Sequence, residues 1–203
     1  MHAQNWQEND NRACYRVLAE AGVRKFIVVS GHKGRKLREF LTRRFDLDFT
    51  FVHNHVYRET NNIYSFYLGI KEISDDVYVL NSDVFFHSKI FERLQSSANE
   101  FLLVVDDSKL LGEEEMKVVA EGSRIVKISK RIPPELASGE YIGLAKIPAK
   151  FLEVLKNCTE EVIEEGARVF YEDAIQRMID LGYEFPTFPQ EAYLGSRSIF
   201  HTS

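Results

Sequence analysis

Val77-Tyr-Val-Leu-Asn-Ser-Asp83 is a four-residue apolar run that stops abruptly on three polar residues. Such a run, preceded by Asp76, predicts a short buried strand, and in an open α/β sheet ligands gather where strands deliver their carboxyl ends. The segment before it keeps helical spacing through Ile63, Phe66, Tyr67, Ile70 and Ile73, with Thr60 predicted as the N-cap. After it, a short helix near Lys89–Leu94 leads to a second apolar run, Phe101-Leu-Leu-Val-Val105.

Working outward, the same alternation continues toward the N-terminus. Cys14, Val17, Leu18 and Ala21 share one helical face, and Gly22 ends that helix. Lys25-Phe-Ile-Val-Val-Ser30 predicts a strand covered on both faces. A helix carrying Leu37, Phe40 and Leu41 follows it, and then a strand over Phe49–Val52. The β-α-β rhythm predicts an α/β fold, a Rossmann-like three-layer α/β/α arrangement with a mainly parallel central sheet. Toward the C-terminus, Met116–Ala120 and Arg124–Ile128 flank Glu121-Gly-Ser123 as a small antiparallel hairpin. A loop and strand follow over 137–146. One helix begins at Pro148 and a last helix spans 171–181; the stretch from Phe185 reads as irregular. Without internal repeats or low-complexity linkers, residues 1–203 read as a single domain.

Composition narrows the function classes. The chain has 203 residues, 44% hydrophobic and 28% charged, with a net charge of -5. That balance speaks against a nucleic-acid-binding module, which carries a basic excess. The one basic cluster, Lys33, Arg35, Lys36, Arg38, Arg43 and Arg44, reads as the solvated face of a helix. No apolar run approaches the roughly 20 residues of a membrane helix, so no membrane insertion is expected. Two cysteines, Cys14 and Cys158, form no paired motif, and a reducing, cytoplasmic setting is expected.

Four polar clusters follow apolar strands: Gly31-His-Lys33, His53-Asn-His55, Asn81-Ser-Asp83 and Asp106-Asp107. Asp83 is the leading candidate, because a carboxylate held at a strand's end is a hard oxygen ligand suited to Mg²⁺. It is equally explained as a cap of the helix that begins near His87. Asp106 and Asp107 read as surface loop carboxylates, and His53 and His55 lack the further ligands a zinc site needs. Thr60-Asn-Asn62 opens a helix whose N–H groups favour an anion or a polar base edge. Glu172 and Asp173 are also the acidic residues expected in a helix's first turn.

In their order, Asn54-His-Val-Tyr57, Thr60-Asn-Asn-Ile-Tyr-Ser65, Val79-Leu-Asn-Ser-Asp-Val-Phe85, Val104-Val-Asp-Asp107, Glu115-Met-Lys-Val118, Ile128-Ser-Lys-Arg-Ile132, Gly139-Glu-Tyr-Ile-Gly143 and Tyr171-Glu-Asp173 resemble the sugar- and alcohol-phosphate nucleotidyltransferases. The nearest branch is the cytidylyltransferases that activate phosphocholine or inositol phosphate. The resemblance covers roughly residues 12–182 and implies the nucleotide-diphospho-sugar transferase type of fold. It also implies a Mg²⁺-dependent transfer of a nucleotidyl group, CMP from CTP, to a small phosphorylated alcohol or sugar, with release of pyrophosphate. On the same basis Asp83 is the metal ligand, with Asp83 and Lys130 catalytic. Asn61, Asn62, Ser65 and Ser82 bind the nucleotide, and Glu140, Tyr171, Glu172 and Asp173 the acceptor. Two departures stand beside it. Residues 1–11 contain no glycine, where the family has a glycine-rich phosphate loop, so the domain reads as incomplete at its N-terminus. At the other end Glu191 is the only carboxylate near the place of the family's second metal ligand. The alternative reading is therefore a catalytically impaired nucleotide- or metabolite-binding paralogue. An oligomer is compatible with either.

Overall fold

Leu102–Asp106 is the most deeply buried strand of the molecule, and it shows how the layers are arranged. In the computed structural model, which describes residues 14–97, 100–166 and 168–189, this strand (β4) sends alternate side chains to opposite faces. Leu103 and Val105 join one apolar cluster with Ile63, Phe66, Leu155, Ala174 and Met178. Leu102 and Val104 join a second with Leu18, Ile90, Phe91 and Leu94. Helices therefore cover both faces of β4, in keeping with an α/β fold.

The elements in chain order are a helix over residues 14–20 (α1), β1 (Lys25–Ser30), α2 (Gly34–Arg44), β2 (Asp48–His53), α3 (Asn62–Ile70), β3 (Val77–Leu80) and α4 (Ser88–Ser96). After β4 come β5 (Lys117–Glu121), β6 (Arg124–Ser129), β7 (Gly139–Ile147), α5 (Leu152–Glu165), α6 (Tyr171–Asp180) and β8 (Phe185–Pro189). Single 3₁₀ turns sit at Pro134–Leu136 and Ala149–Phe151. Pro148 thus starts a 3₁₀ turn that leads into α5. No described helix is long and apolar enough to cross a membrane.

The expectation of a mainly parallel sheet needs correction. Among the described residues only β1–β2 and β4–β8 pair parallel, whereas β3–β7, β4–β7, β5–β6, β5–β7 and β6–β8 pair antiparallel. The cause is β7, which inserts between β3 and β4 in the reverse direction. Its second half, Leu144–Ile147, is buried on both faces, and apart from Lys146, whose Nζ donates to Gln95 O and Ser97 O, it is apolar like a parallel strand. Pairing of β5 with the first residues of β7 closes β7, β4, β8, β6 and β5 into a ring.

Further differences are local. The run from Phe185 is a strand rather than irregular, held parallel to β4 and antiparallel to β6; its two prolines hid it. Among the described residues β1 pairs only with β2, and Ile27 is 43% exposed, so that strand is not covered on both faces. The helix after the histidine loop is capped by Asn61, whose side chain accepts from Asn62 N, while the Thr60 hydroxyl donates back to Val56 O.

Candidate functional site

The exits of β3, β4 and β6, the start of β7, the loop before β5 and the first turns of α3 and α6 surround one cavity of about 400 Å³. Asn81 anchors the first of these exits. Its N–H donates to Gly143 O at 2.9 Å, and its Oδ1 lies 3.4 Å from the Tyr171 hydroxyl, which also meets the Tyr141 hydroxyl at 2.9 Å. Gly143 has φ +83, and a Cβ there would sit 2.4 Å from Asn81 Nδ2, so glycine is required for the strand to turn under Asn81.

Asp83 lies two residues beyond this anchor, is exposed, and lines the cavity. It makes no hydrogen bond or ion pair among the described residues. The helix that begins at Ser88 is capped instead by His87, whose Nδ1 accepts from Lys89 N at 3.2 Å. The capping explanation for Asp83 therefore falls away.

Glu172 occupies the opposite wall. It is 3% exposed, and its Oε2 has no hydrogen-bond partner among the described residues. Burial pushes its carboxyl up from 4.5 to about 7, against its own backbone N–H and the side chains of Asn62 and Tyr171, which pull it down. Behind it, burial and the charge of Glu172 raise the Tyr141 phenol. Burial foremost, with Tyr141 and Glu172 adding to it, raises Tyr171. Both remain neutral hydrogen-bonding groups. The Asn62 side chain spans to the other helix, accepting from Tyr171 N at 3.1 Å, so the N-termini of α3 and α6 are fixed together beside Glu172.

Lysines supply the positive charge. Lys130 lies over the Phe170 ring at 5.0 Å and 3.8 Å from Glu114. Lys109 donates to Glu140 at 3.0 Å and pairs with Glu115 at 3.1 Å. Burial alone would lower the Lys109 ammonium, but these two carboxylates outweigh it and raise it, and Lys109 in turn holds Glu115 below its ordinary value. The segment carrying Glu115 is fixed from beneath by Lys117. That side chain is fully buried, and its Nζ donates to the carbonyls of Gly112, Glu113 and Glu115 at 3.0, 3.0 and 3.2 Å.

Of the residues singled out in the sequence, Asn62, Asp83, Lys130, Glu140 and Glu172 line this cavity together. Asn81 and Asp106, from the polar clusters after β3 and β4, line it as well, whereas the remaining residues assigned a role do not. Asn61 caps α3, and Ser65 Oγ accepts from Asn54 Nδ2. Ser82 is exposed, Tyr171 lies buried behind the wall, and Asp173 closes a capping box with Phe170 N. Asp106, read as a surface carboxylate, is buried at the cavity and holds the Ser108 N–H and hydroxyl. Asp107 is exposed as expected. His53 and His55 face each other at 4.6 Å, and no group of three or more His, Cys, Asp or Glu side chains among the described residues could hold a metal. Glu191 lies outside the described residues. Lys109 was missed, and Glu115 and Lys117 were quoted for the resemblance without a role; a lysine within an apolar strand start was the available signal for Lys117.

The fold that frames this cavity is shared with known nucleotidyltransferases. The structure of the inositol-1-phosphate CTP transferase from T. maritima superposes with a TM-score of 0.73 at 22% identity, covering 88% of this chain and 71% of that one. The CTP:phosphocholine cytidylyltransferase from Streptococcus pneumoniae superposes with a TM-score of 0.65 at 15% identity, covering 91% and 76%. In sequence, the choline-phosphate cytidylyltransferase of Haemophilus influenzae is 25% identical over 157 residues, 76% of this chain, which spans 64% of that relative's length. The chain resembles the nucleotidyltransferases, as its ordered motifs indicated. It belongs to the family of DUF6564, a domain of unknown function, whose profile matches residues 5–118.

Proposed function

We propose that this chain is a nucleotidyltransferase that moves a nucleotidyl group, CMP from CTP, onto a small alcohol or sugar phosphate. The observation that carries the reading is the shared cavity. Asp83, Asn62, Lys130, Glu140 and Glu172 come from separate segments of the chain, yet they line one space of about 400 Å³. The names of the similar proteins supply the reaction class and CTP.

Mg²⁺ fits Asp83. The ion takes one or two carboxylates and completes its shell with water and substrate phosphates, and the Asp83 carboxylate is unengaged and turned to the cavity. When bound, Mg²⁺ would neutralise phosphate charge. In the reaction, an oxygen of the acceptor phosphate bonds to the α-phosphorus, and the bond from that phosphorus to the bridging oxygen breaks, the electron pair leaving with pyrophosphate. Lys130 would meet the acceptor phosphate, Asn62 the nucleotide, and Glu140 and Glu172 the acceptor's alcohol part. Positioning and charge neutralisation do the work, since phosphoryl chemistry needs little covalent help from the protein. The same reading treats residues 1–203 as one domain in the cytoplasm, in keeping with two cysteines that form no paired motif in the sequence.

Among the described residues no three His, Cys, Asp or Glu side chains group together to hold a metal, which favours a second reading, a nucleotide binder with impaired chemistry. Pyrophosphate release from CTP with phosphocholine or inositol phosphate separates the two. Release that depends on Asp83 supports the enzyme; CTP binding without release with either acceptor would leave the binder.

A further inference from the structure

The basic cluster of α2 is not used by the cavity described above, and the structure divides it. Arg35 lies 4.0 Å from Glu39, and Arg38 rests over the Phe51 ring at 5.1 Å. Arg44, the last residue of α2, joins two arginines from elsewhere, Arg16 on α1 and Arg24 just before β1. Together with Ala19, Glu20 and Phe45 they line an open cavity of about 460 Å³. None of the three guanidiniums makes an ion pair among the described residues, although Glu20 shares the cavity. Arginines in the last turn of a helix complement its dipole, which accounts for Arg44. It does not account for Arg16, near the start of the described part of α1, or for Arg24, which follows that helix.

Three like charges brought to one concave surface repel one another, and an anion seated between them relieves that repulsion. Guanidinium forks match phosphate oxygens in a bidentate geometry. Beneath them Phe45 packs on Tyr15, which in turn meets Phe26 and Phe49, each pair with ring centroids between 5.4 and 5.8 Å apart. This aromatic base fixes the elements that carry the arginines relative to one another. We propose that Arg16, Arg24 and Arg44 form a binding site for a compact phosphate anion, separate from the cavity at Asp83. Arg24 precedes β1, so the site lies at the amino end of that strand, whereas the Asp83 cavity lies beyond the carboxyl ends of β3 and β4. A long polyanion is disfavoured, because the chain as a whole carries a charge of -5 and would repel whatever extends beyond the cavity. The site does not depend on the nucleotidyltransferase reading.

The test is calorimetric titration of the whole chain with inorganic phosphate and with pyrophosphate, at ionic strength held constant with chloride. One equivalent should bind with a Kd below about 1 mM; which anion binds tighter distinguishes a single phosphate from a linked pair. Arg24→Ala and Arg44→Ala should each weaken binding roughly tenfold, since each removes a charge-assisted pair. Arg24→Lys, which keeps the charge and loses the fork, should weaken it less. Asp83→Ala and the exposed Lys127→Ala should leave it unchanged. Urea unfolding of each variant checks that it is folded. No measurable binding would overturn the proposal. So would binding weakened by Lys130→Ala but not by the arginine variants, or weakened equally by Lys127→Ala.

Discussion

Replacing Glu172 by glutamine should change how stability depends on pH, and the size of the change follows from the site. Burial holds the Glu172 carboxyl at about 7 in the folded chain against 4.5 ordinarily. Below pH 4.5 the group is protonated in both states and burial exacts no ionisation cost. As pH rises toward 7 the unfolded chain gives up the proton while the folded chain keeps it, so stability falls, and the loss is complete above 7. At about 1.4 kcal/mol for each tenfold in an ionisation constant, the loss between pH 5 and pH 8 is about 2.5 kcal/mol. Glutamine does not titrate. It brings an amide to a position where Oε2 has no partner, and an unsatisfied buried donor costs about 1–3 kcal/mol, but that cost is the same at every pH. Urea unfolding of both proteins at pH 5, 6, 7 and 8 is the assay. The stability of Glu172→Gln relative to the parent should improve by roughly 2–3 kcal/mol from pH 5 to pH 8. A difference that stays constant within about 0.5 kcal/mol would show that Glu172 is not the buried, raised carboxyl described, and the reasoning would fail.

Three other perturbations test the scaffold. Lys117→Met leaves the Gly112, Glu113 and Glu115 carbonyls without their shared donor and should cost about 2–4 kcal/mol in urea unfolding. Gly143→Ala forces φ +83 on a side chain and drives a Cβ into Asn81; it should lower the melting temperature and weaken any ligand that depends on Asp83, both read in one thermal-shift series. Gly139→Ala places a Cβ 2.6 Å from Val105 Cγ1 and 2.7 Å from Asp106 O, and should destabilise by about 1–3 kcal/mol in urea unfolding.

The sequence shows the elements more clearly than their order in space. Short apolar runs that stop on polar residues located β3 and β4 to within a residue, because a strand covered by helices on both faces must be apolar along its length. The same property concealed direction. Leu144–Ile147 is buried like β4 and apolar apart from Lys146, and nothing in its composition says that it enters antiparallel between β3 and β4. Phe185–Pro189 was hidden for the opposite reason, since two prolines mask a strand that pairs with β4 and β6. In the site, residues directly after strands were legible by position, and Asp83 is the clearest case. Whether such a residue faces the cavity or serves the backbone was not legible. Asn61 and Ser65 became a cap and an internal hydrogen-bond partner, while Asn62, beside them, lines the cavity and reaches across to Tyr171 N. Lys109 escaped because its role depends on Glu115 and Glu140, which are distant in sequence from it or from each other and meet only after β7 inserts.

Whether Asp83 serves a Mg²⁺-dependent nucleotide site is read by thermal melting with Mg²⁺ and CTP. Ligand at about a hundred times its Kd stabilises by about 2.7 kcal/mol, which for a chain of this size raises Tm by roughly 5–10 °C. That shift is expected for the parent chain, and most of it should be lost in Asp83→Ala. No shift with any nucleoside triphosphate, or a full shift in Asp83→Ala, would contradict it.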